Sequence, residues 1–241
     1  MMRKLDPIGS IVWRYVTPER EHWKERGRKF VKNYDPRLPV PYLPIKAEEL
    51  LRTLHAYRPG SIVEFGSGHS TAWFASYAAK TGAKVTSFEQ SPEWVQKSRG
   101  FVGEIGPSDV RLAEVREFVV GGRRFARYDA EIPSAEMIYV DGPAAAKATA
   151  GYDAIALLKV SSPRLIVVDG RHATVLALLE ALNIDRKAPS SDSAWRFEPS
   201  VDFAFRQPDG AGRQWREIFK RRAHSFFFRN EDSIAALKLA G

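Results

Sequence analysis

Between residues 61 and 183, short runs rich in β-branched and aromatic residues alternate with stretches of helical spacing. The runs are "SIVEF" (61–65), "KVTSFE" (84–89), "DVRLAEV" (109–115), "EMIYVD" (136–141) and "RLIVVD" (164–169). Helical patterns cover 70–80, 91–99, 147–160 and 172–183, with Ser91 placed as a cap and Pro92 at a first turn. Strands separated by helices imply right-handed crossovers and parallel pairing. The expected fold is therefore α/β: an open, doubly wound, mostly parallel sheet. Two stretches read differently. "EFVVGGRRFARY" (117–128) is a hairpin turning at Gly121-Gly122. The tail predicts two or three late strands, with a turn at Pro208-Asp209-Gly210.

Ahead of the alternation lies a helical stretch over 11–33, then "DPRLPVPYLP" with four prolines in ten residues, then a helix over 47–57. Proline fixes its own φ and keeps its predecessor out of the α region, so the middle piece reads as an extended connector. The chain divides into a helical extension and connector over 1–46 and an α/β domain over 47–241. Trp13, Tyr15, Trp23 and Phe30 make the extension too apolar to stand alone in water, and it is expected to dock as a lid over the cleft or as a homodimer contact. With 241 residues and 44% hydrophobic content, a full core is available. No apolar run reaches the roughly 18 residues of a membrane span, and residues 1–30 lack the apolar block of a signal peptide. The 241 residues include no cysteine, which excludes disulfides, thiol catalysis and cysteine-held zinc. A cytoplasmic enzyme is the expectation. The net charge of +8 sits in the terminal segments, which leaves nucleic acid as an open partner.

"SIVEFGSGHSTAWFA" (61–75) combines a strand, an acid, two glycines and a capped helix start. In an open α/β sheet ligands bind beyond the carboxyl ends of the strands, where Gly66 and Gly68 fall. The dinucleotide pattern G-x-G-x-x-G would need glycine at 71, where Thr71 stands, and no phosphate loop G-x-x-x-x-G-K-[ST] occurs.

An acid followed by x-G-x-G resembles the first motif of class I S-adenosylmethionine-dependent methyltransferases. The resemblance covers roughly residues 47–185. It implies S-adenosylmethionine as cofactor and a Rossmann-like methyltransferase fold. It places Glu64, Gly66, Ser67, Gly68, His69 and Ser70 around the cofactor's methionine and ribose parts, with Ser70 in place of the family's third glycine. Glu89, closing the second strand, matches the acid that takes the ribose hydroxyls, and two acceptor oxygens suit a vicinal diol. Gln90 falls near the adenine, and Glu114 is a candidate partner for its amino group. Asp141, closing the fourth strand, falls near the transferred methyl.

Two groups are candidates for catalysis. Asp141 could take a proton if its pKa were raised, and His172, opening the last helix, titrates near neutrality. Metal-dependent O-methyltransferases carry acids at the positions of Asp141 and Asp169 and another ligand directly afterwards. Here Gly170 follows, so no metal is expected, with Asp141 and Asp169 as a two-ligand alternative. The reading is methyl transfer to a small-molecule oxygen or nitrogen. A nicotinamide-dependent oxidoreductase and a nucleic-acid-binding module using the basic termini are the alternatives.

Overall fold

The computed structural model describes residues 17–41, 44–146, 148–184, 194–199, 203–208, 215–221 and 224–229. Two helices open it, α1 (Thr17–Tyr34) and α2 (Pro44–Tyr57). The alternation follows as β1 (Ser61–Phe65), α3 (His69–Thr81), β2 (Lys84–Glu89), α4 (Pro92–Ile105) and β3 (Asp109–Leu112). Then come β4 (Val115–Val120), β5 (Arg123–Tyr128), β6 (Met137–Val140), β7 (Ala150–Gly151), α5 (Asp153–Val160), β8 (Leu165–Asp169) and α6 (His172–Ala181). The last strands are β9 (Trp195–Pro199), β10 (Phe203–Pro208), β11 (Trp215–Arg221) and β12 (His224–Arg229).

Seven strands form the main sheet in the order β3-β2-β1-β6-β8-β12-β9, and β12 alone runs antiparallel to both its neighbours. The chain winds outward from β1 to β3, then restarts on the other side of β1 with β6. That reversal opens a crevice between the carboxyl ends of β1 and β6, where ligands bind in sheets of this kind. The fold class read from the alternation is the one observed. Period-two alternation sorts the strands between two cores. Ile62, Tyr139, Leu165 and Val167 face α2 and α3, with Leu50, Leu51, Leu54, Trp73 and Phe74. Val63, Phe65, Ile138, Ile166 and Val168 face α5 and α6, with Leu157, Leu178 and Leu179.

Several local expectations shift. The third run divides: β3 ends at Leu112 and β4 starts at Val115, which lengthens the hairpin to 115–128. The helix expected over 147–160 begins at Asp153, because Ala150-Gly151 pairs in parallel with Phe125-Ala126 of the hairpin. Four late strands replace two or three, and Asp209-Gly210 of the expected turn lie outside the described residues. The described part of the N-terminal segment joins the first core, with Val31 and Leu38 fully buried. Asp35 is buried as well, accepting hydrogen bonds from Ser76 Oγ at 2.8 Å and from Arg37. That pairing with Arg37 holds the Asp35 carboxyl down at about 2. Phe30 stacks on Tyr34 beneath the Arg52 guanidinium. Trp13, Tyr15 and the side chain of Trp23 lie outside the described residues.

Candidate active site

The glycine loop is held from below. Glu64 is fully buried, yet both carboxyl oxygens are used: Ser70 Oγ donates to one at 2.5 Å, while Thr71 Oγ1 and Ser87 Oγ donate to the other at 2.7 and 2.6 Å. Ser87 is its cross-strand neighbour on β2, and Ser70 and Thr71 open α3. Thr71 Oγ1 in turn accepts the Gly68 N–H at 2.9 Å. One carboxyl thus ties strand, neighbouring strand and helix start together. Burial outweighs these hydroxyl bonds and pushes Glu64 up to about 7. Glu64, expected at the cofactor, lies beneath the loop and braces its backbone.

The two glycines have different tasks. Gly66 has φ +91°, and a Cβ there would come within 2.6 Å of the Gly142 nitrogen. Phe65 C=O accepts the N–H groups of both Asp141 and Gly142, so the ends of β1 and β6 are pressed together. Gly68 has extended backbone, and a Cβ there would meet nothing within 4 Å. Above it, Glu89 closes β2. Its carboxylate accepts N–H bonds from Ser67 at 2.9 Å and from Gln90 and Ser91 at 2.8 Å each. Three backbone donors fix this side chain while leaving lone pairs for a ligand. Ser67 Oγ accepts from the buried Ser98 hydroxyl at 3.0 Å. Gln90 donates to Ala144 C=O at 3.2 Å, and its own Oε1 is buried without a partner among the described residues. His69 is exposed and stacks on Phe101. Glu114 is exposed beyond β3, contributing its carbonyl to the Asp129 N–H.

The carboxyl ends of β6 and β8 carry a second cluster. Asp141 still reaches solvent, but the surrounding protein and the nearby Asp169 carboxylate raise its pKa, against Arg171 and Lys46. Arg171 Nε donates to the Asp141 carbonyl at 2.7 Å. Asp169 is ion-paired through Oδ1 with Lys46 Nζ and accepts the Tyr139 hydroxyl on Oδ2 at 3.1 Å. Tyr139 is buried, which raises its phenol well above the ordinary range. Opposite Asp169 in the antiparallel register stands His224, fully buried. Its Nδ1 lies 2.6 Å from Glu49 Oε2, and its Nε2 is without a partner among the described residues. His172 is exposed at the first position of α6.

Both oxygens of Asp169 are engaged, Gly170 offers no side chain, and the described residues contain no group of three or more His, Asp or Glu able to hold an ion. Sequence reasoning missed Lys46, Glu49, Tyr139, Ser87 and His224. Ser87 carried a signal, being a small polar residue on a strand beside an acid.

No protein-family model and no curated protein matches the chain. Among solved structures it is similar to an O-methyltransferase from Bacillus cereus in complex with SAH, at 14% identity over 92% of this chain and 97% of that one, with a TM-score of 0.44. The C-terminal domain of precorrin-6Y C5,15-methyltransferase from Rhodobacter capsulatus shares 17% identity over 79% and 91%, with a TM-score of 0.44. The O-methyltransferase TomG from Streptomyces achromogenes, in complex with SAM, shares 15% over 95% and 99%, with a TM-score of 0.39. The likeness is distant, and the chemistry of the cleft follows from this chain's own residues. No helix among the described residues is long and apolar enough to cross a membrane.

Proposed function

We propose that this chain is an S-adenosylmethionine-dependent methyltransferase acting on a small-molecule oxygen nucleophile. The observation that carries the reading is the Glu89 carboxylate, held by three backbone N–H groups beside the unobstructed Gly68. A fixed acceptor pair at the end of β2 suits a vicinal ribose diol, a feature that a dinucleotide site would share; Thr71, where the dinucleotide pattern needs glycine, is what favours S-adenosylmethionine over NAD. The orphaned Gln90 Oε1 offers an acceptor to an amino group such as that of adenine. Glu64, Ser70, Thr71 and Ser87 brace the loop.

When bound, the cofactor would supply an electrophilic methyl on a sulfonium. What the protein contributes is alignment, since direct transfer requires nucleophile, carbon and sulfur in line. Asp141 sits at the cleft with a raised pKa and is the group placed to receive the acceptor's proton near neutrality. His172, exposed at the mouth, is the second candidate.

Calorimetry with S-adenosylhomocysteine, NAD and a short RNA tests the reading against both alternatives. The expected result is a dissociation constant on the order of micromolar for S-adenosylhomocysteine alone. Glu89→Ala should weaken it by about 1.5–3 kcal/mol, the scale of charge-assisted hydrogen bonds. Unchanged affinity in that variant would remove the ribose assignment, and NAD binding in its place would favour the oxidoreductase.

A further inference from the structure

Lys46 occupies an unusual position. It is the third residue of α2, inside the first turn, and that turn contains no acid. The amino end of a helix disfavours a cation, by about 0.3–1 kcal/mol at an exposed site. A lysine there needs an anion nearby, and it finds one at the carboxyl end of a strand 123 residues away, in Asp169. Both partners are mostly shielded, with side-chain exposures of 21% and 15%. Lys46 also acts on Asp141, lowering the pKa that burial and Asp169 raise. The ammonium thus sits at the carboxyl end of β8, beside the strand that Asp141 follows, with Arg171, whose Nε donates to the Asp141 carbonyl, as the other cation there.

We infer that Lys46 is the resident cation of the acceptor pocket and holds the place a divalent metal would take between Asp141 and Asp169. This rests on the methyltransferase reading for the meaning of the pocket, but the pairing itself does not. The ammonium has three donors, of which one is spent on Asp169 among the described residues. The others are available to a single acceptor oxygen. Lysine is a point charge on a flexible stem, so it holds one oxygen and does not chelate two as a metal does. Tyr139 supports the arrangement from the buried side by donating to the remaining oxygen of Asp169. The function of Lys46 is to position the acceptor and to neutralise the carboxylates.

The test is Mn²⁺ binding followed by electron paramagnetic resonance, with S-adenosylhomocysteine affinity measured in parallel by calorimetry. Wild-type protein should leave Mn²⁺ free up to about 1 mM, since one engaged and one available carboxylate make a poor site. Lys46→Met frees both carboxylates and should bind Mn²⁺ at least tenfold more tightly. Adding Asp169→Asn to that variant should abolish the gain. Lys46→Arg, which keeps the charge, should behave as wild type and serves as the folding control together with the circular dichroism of all variants. Stoichiometric Mn²⁺ binding by wild type that disappears in Asp169→Asn would overturn the inference. So would a folded Lys46→Met protein that gains no Mn²⁺ binding. Failure of S-adenosylhomocysteine to bind any of these proteins would instead remove the methyltransferase reading and leave the cation assignment standing.

Discussion

The two halves of the cleft handle their carboxylates in opposite ways. Around the glycine loop, Glu64 and Glu89 are held by neutral donors: three hydroxyls for the first, three backbone N–H groups for the second. Around β6 and β8, Asp141 and Asp169 face each other with charged neighbours, Lys46 and Arg171, and an unspent imidazole nitrogen on His224 nearby. Neutral donors make a rigid frame that does not change its charge when a ligand arrives. Opposed charges make a site whose balance changes with whatever enters. On the proposed function, the first half holds and the second reacts.

Stability measurements should separate the halves most strongly. Glu64→Ala leaves three buried hydroxyls without their acceptor, at about 1–3 kcal/mol for each unsatisfied group, and is expected to cost about 3–5 kcal/mol in urea denaturation. Asp169→Asn keeps the shape and the Tyr139 contact at the cleft and should cost about 1 kcal/mol. Equal losses would erase the distinction between frame and reactive site.

Within the frame, Gly66 and Gly68 should part company. Gly66→Ala forces a Cβ at φ +91° against the Gly142 backbone and should cost about 2–3 kcal/mol. Gly68→Ala meets open space and should stay within about 0.5 kcal/mol of wild type. Its S-adenosylhomocysteine affinity should nevertheless fall at least tenfold, because the methyl group occupies ligand space. Intact affinity in a folded Gly68→Ala protein would place the ligand elsewhere.

A further effect is in pH. Glu64 moves from its ordinary 4.5 in the unfolded chain to about 7 when folded. The folded state therefore binds more protons between those values, so this contribution is full below pH 4.5 and is lost as pH rises towards 7. Glu64→Gln should flatten the stability profile over that window by on the order of 2 kcal/mol. Asp153, also raised to about 7 by burial, leaves a residual slope of the same sign. A profile unchanged by Glu64→Gln would mean the carboxyl stays ionised, held by its hydroxyls.

The same contrast explains what was legible in the sequence. The frame is local: Glu64, Gly66, Gly68, Ser70 and Thr71 lie within eight residues, and β1 and β2 have the bounds their composition predicts. Glu89 could be found because it closes the next strand in an alternating pattern. The reactive half draws on positions 46, 49, 139, 141, 169 and 224, joined only by the winding of the sheet. Asp141 and Asp169 were visible as strand ends. Lys46 was not, since the sequence pattern starts the helix at residue 47, which leaves the lysine at the end of the connector until the fold sets it against β8. His224 was equally hidden, because its meaning depends on β12 inserting antiparallel beside β8 and placing it opposite Asp169. The N-terminal segment shows the converse limit: of the apolar residues read there as needing cover, Phe30 packs against the first core while the other three side chains lie outside the described residues, and Val31 and Leu38, buried in that core, were not singled out.

The insertion of β12 between β8 and β9 also sets a timetable for synthesis. The ribosome delivers β8 about 55 residues before β12, at roughly 5–20 residues per second. For those seconds the apolar run Leu165–Val168 presents an unpaired edge, the kind of surface that recruits other strands. The nascent chain therefore passes through a stage in which the loop half of the cleft can form while the half containing His224 cannot. Chains arrested near residue 200 should be protease-resistant around β1 and β2 and sensitive around β8, and release of the full chain should close that window. Equal protection of both regions before β12 emerges would show that β8 is covered by another segment first.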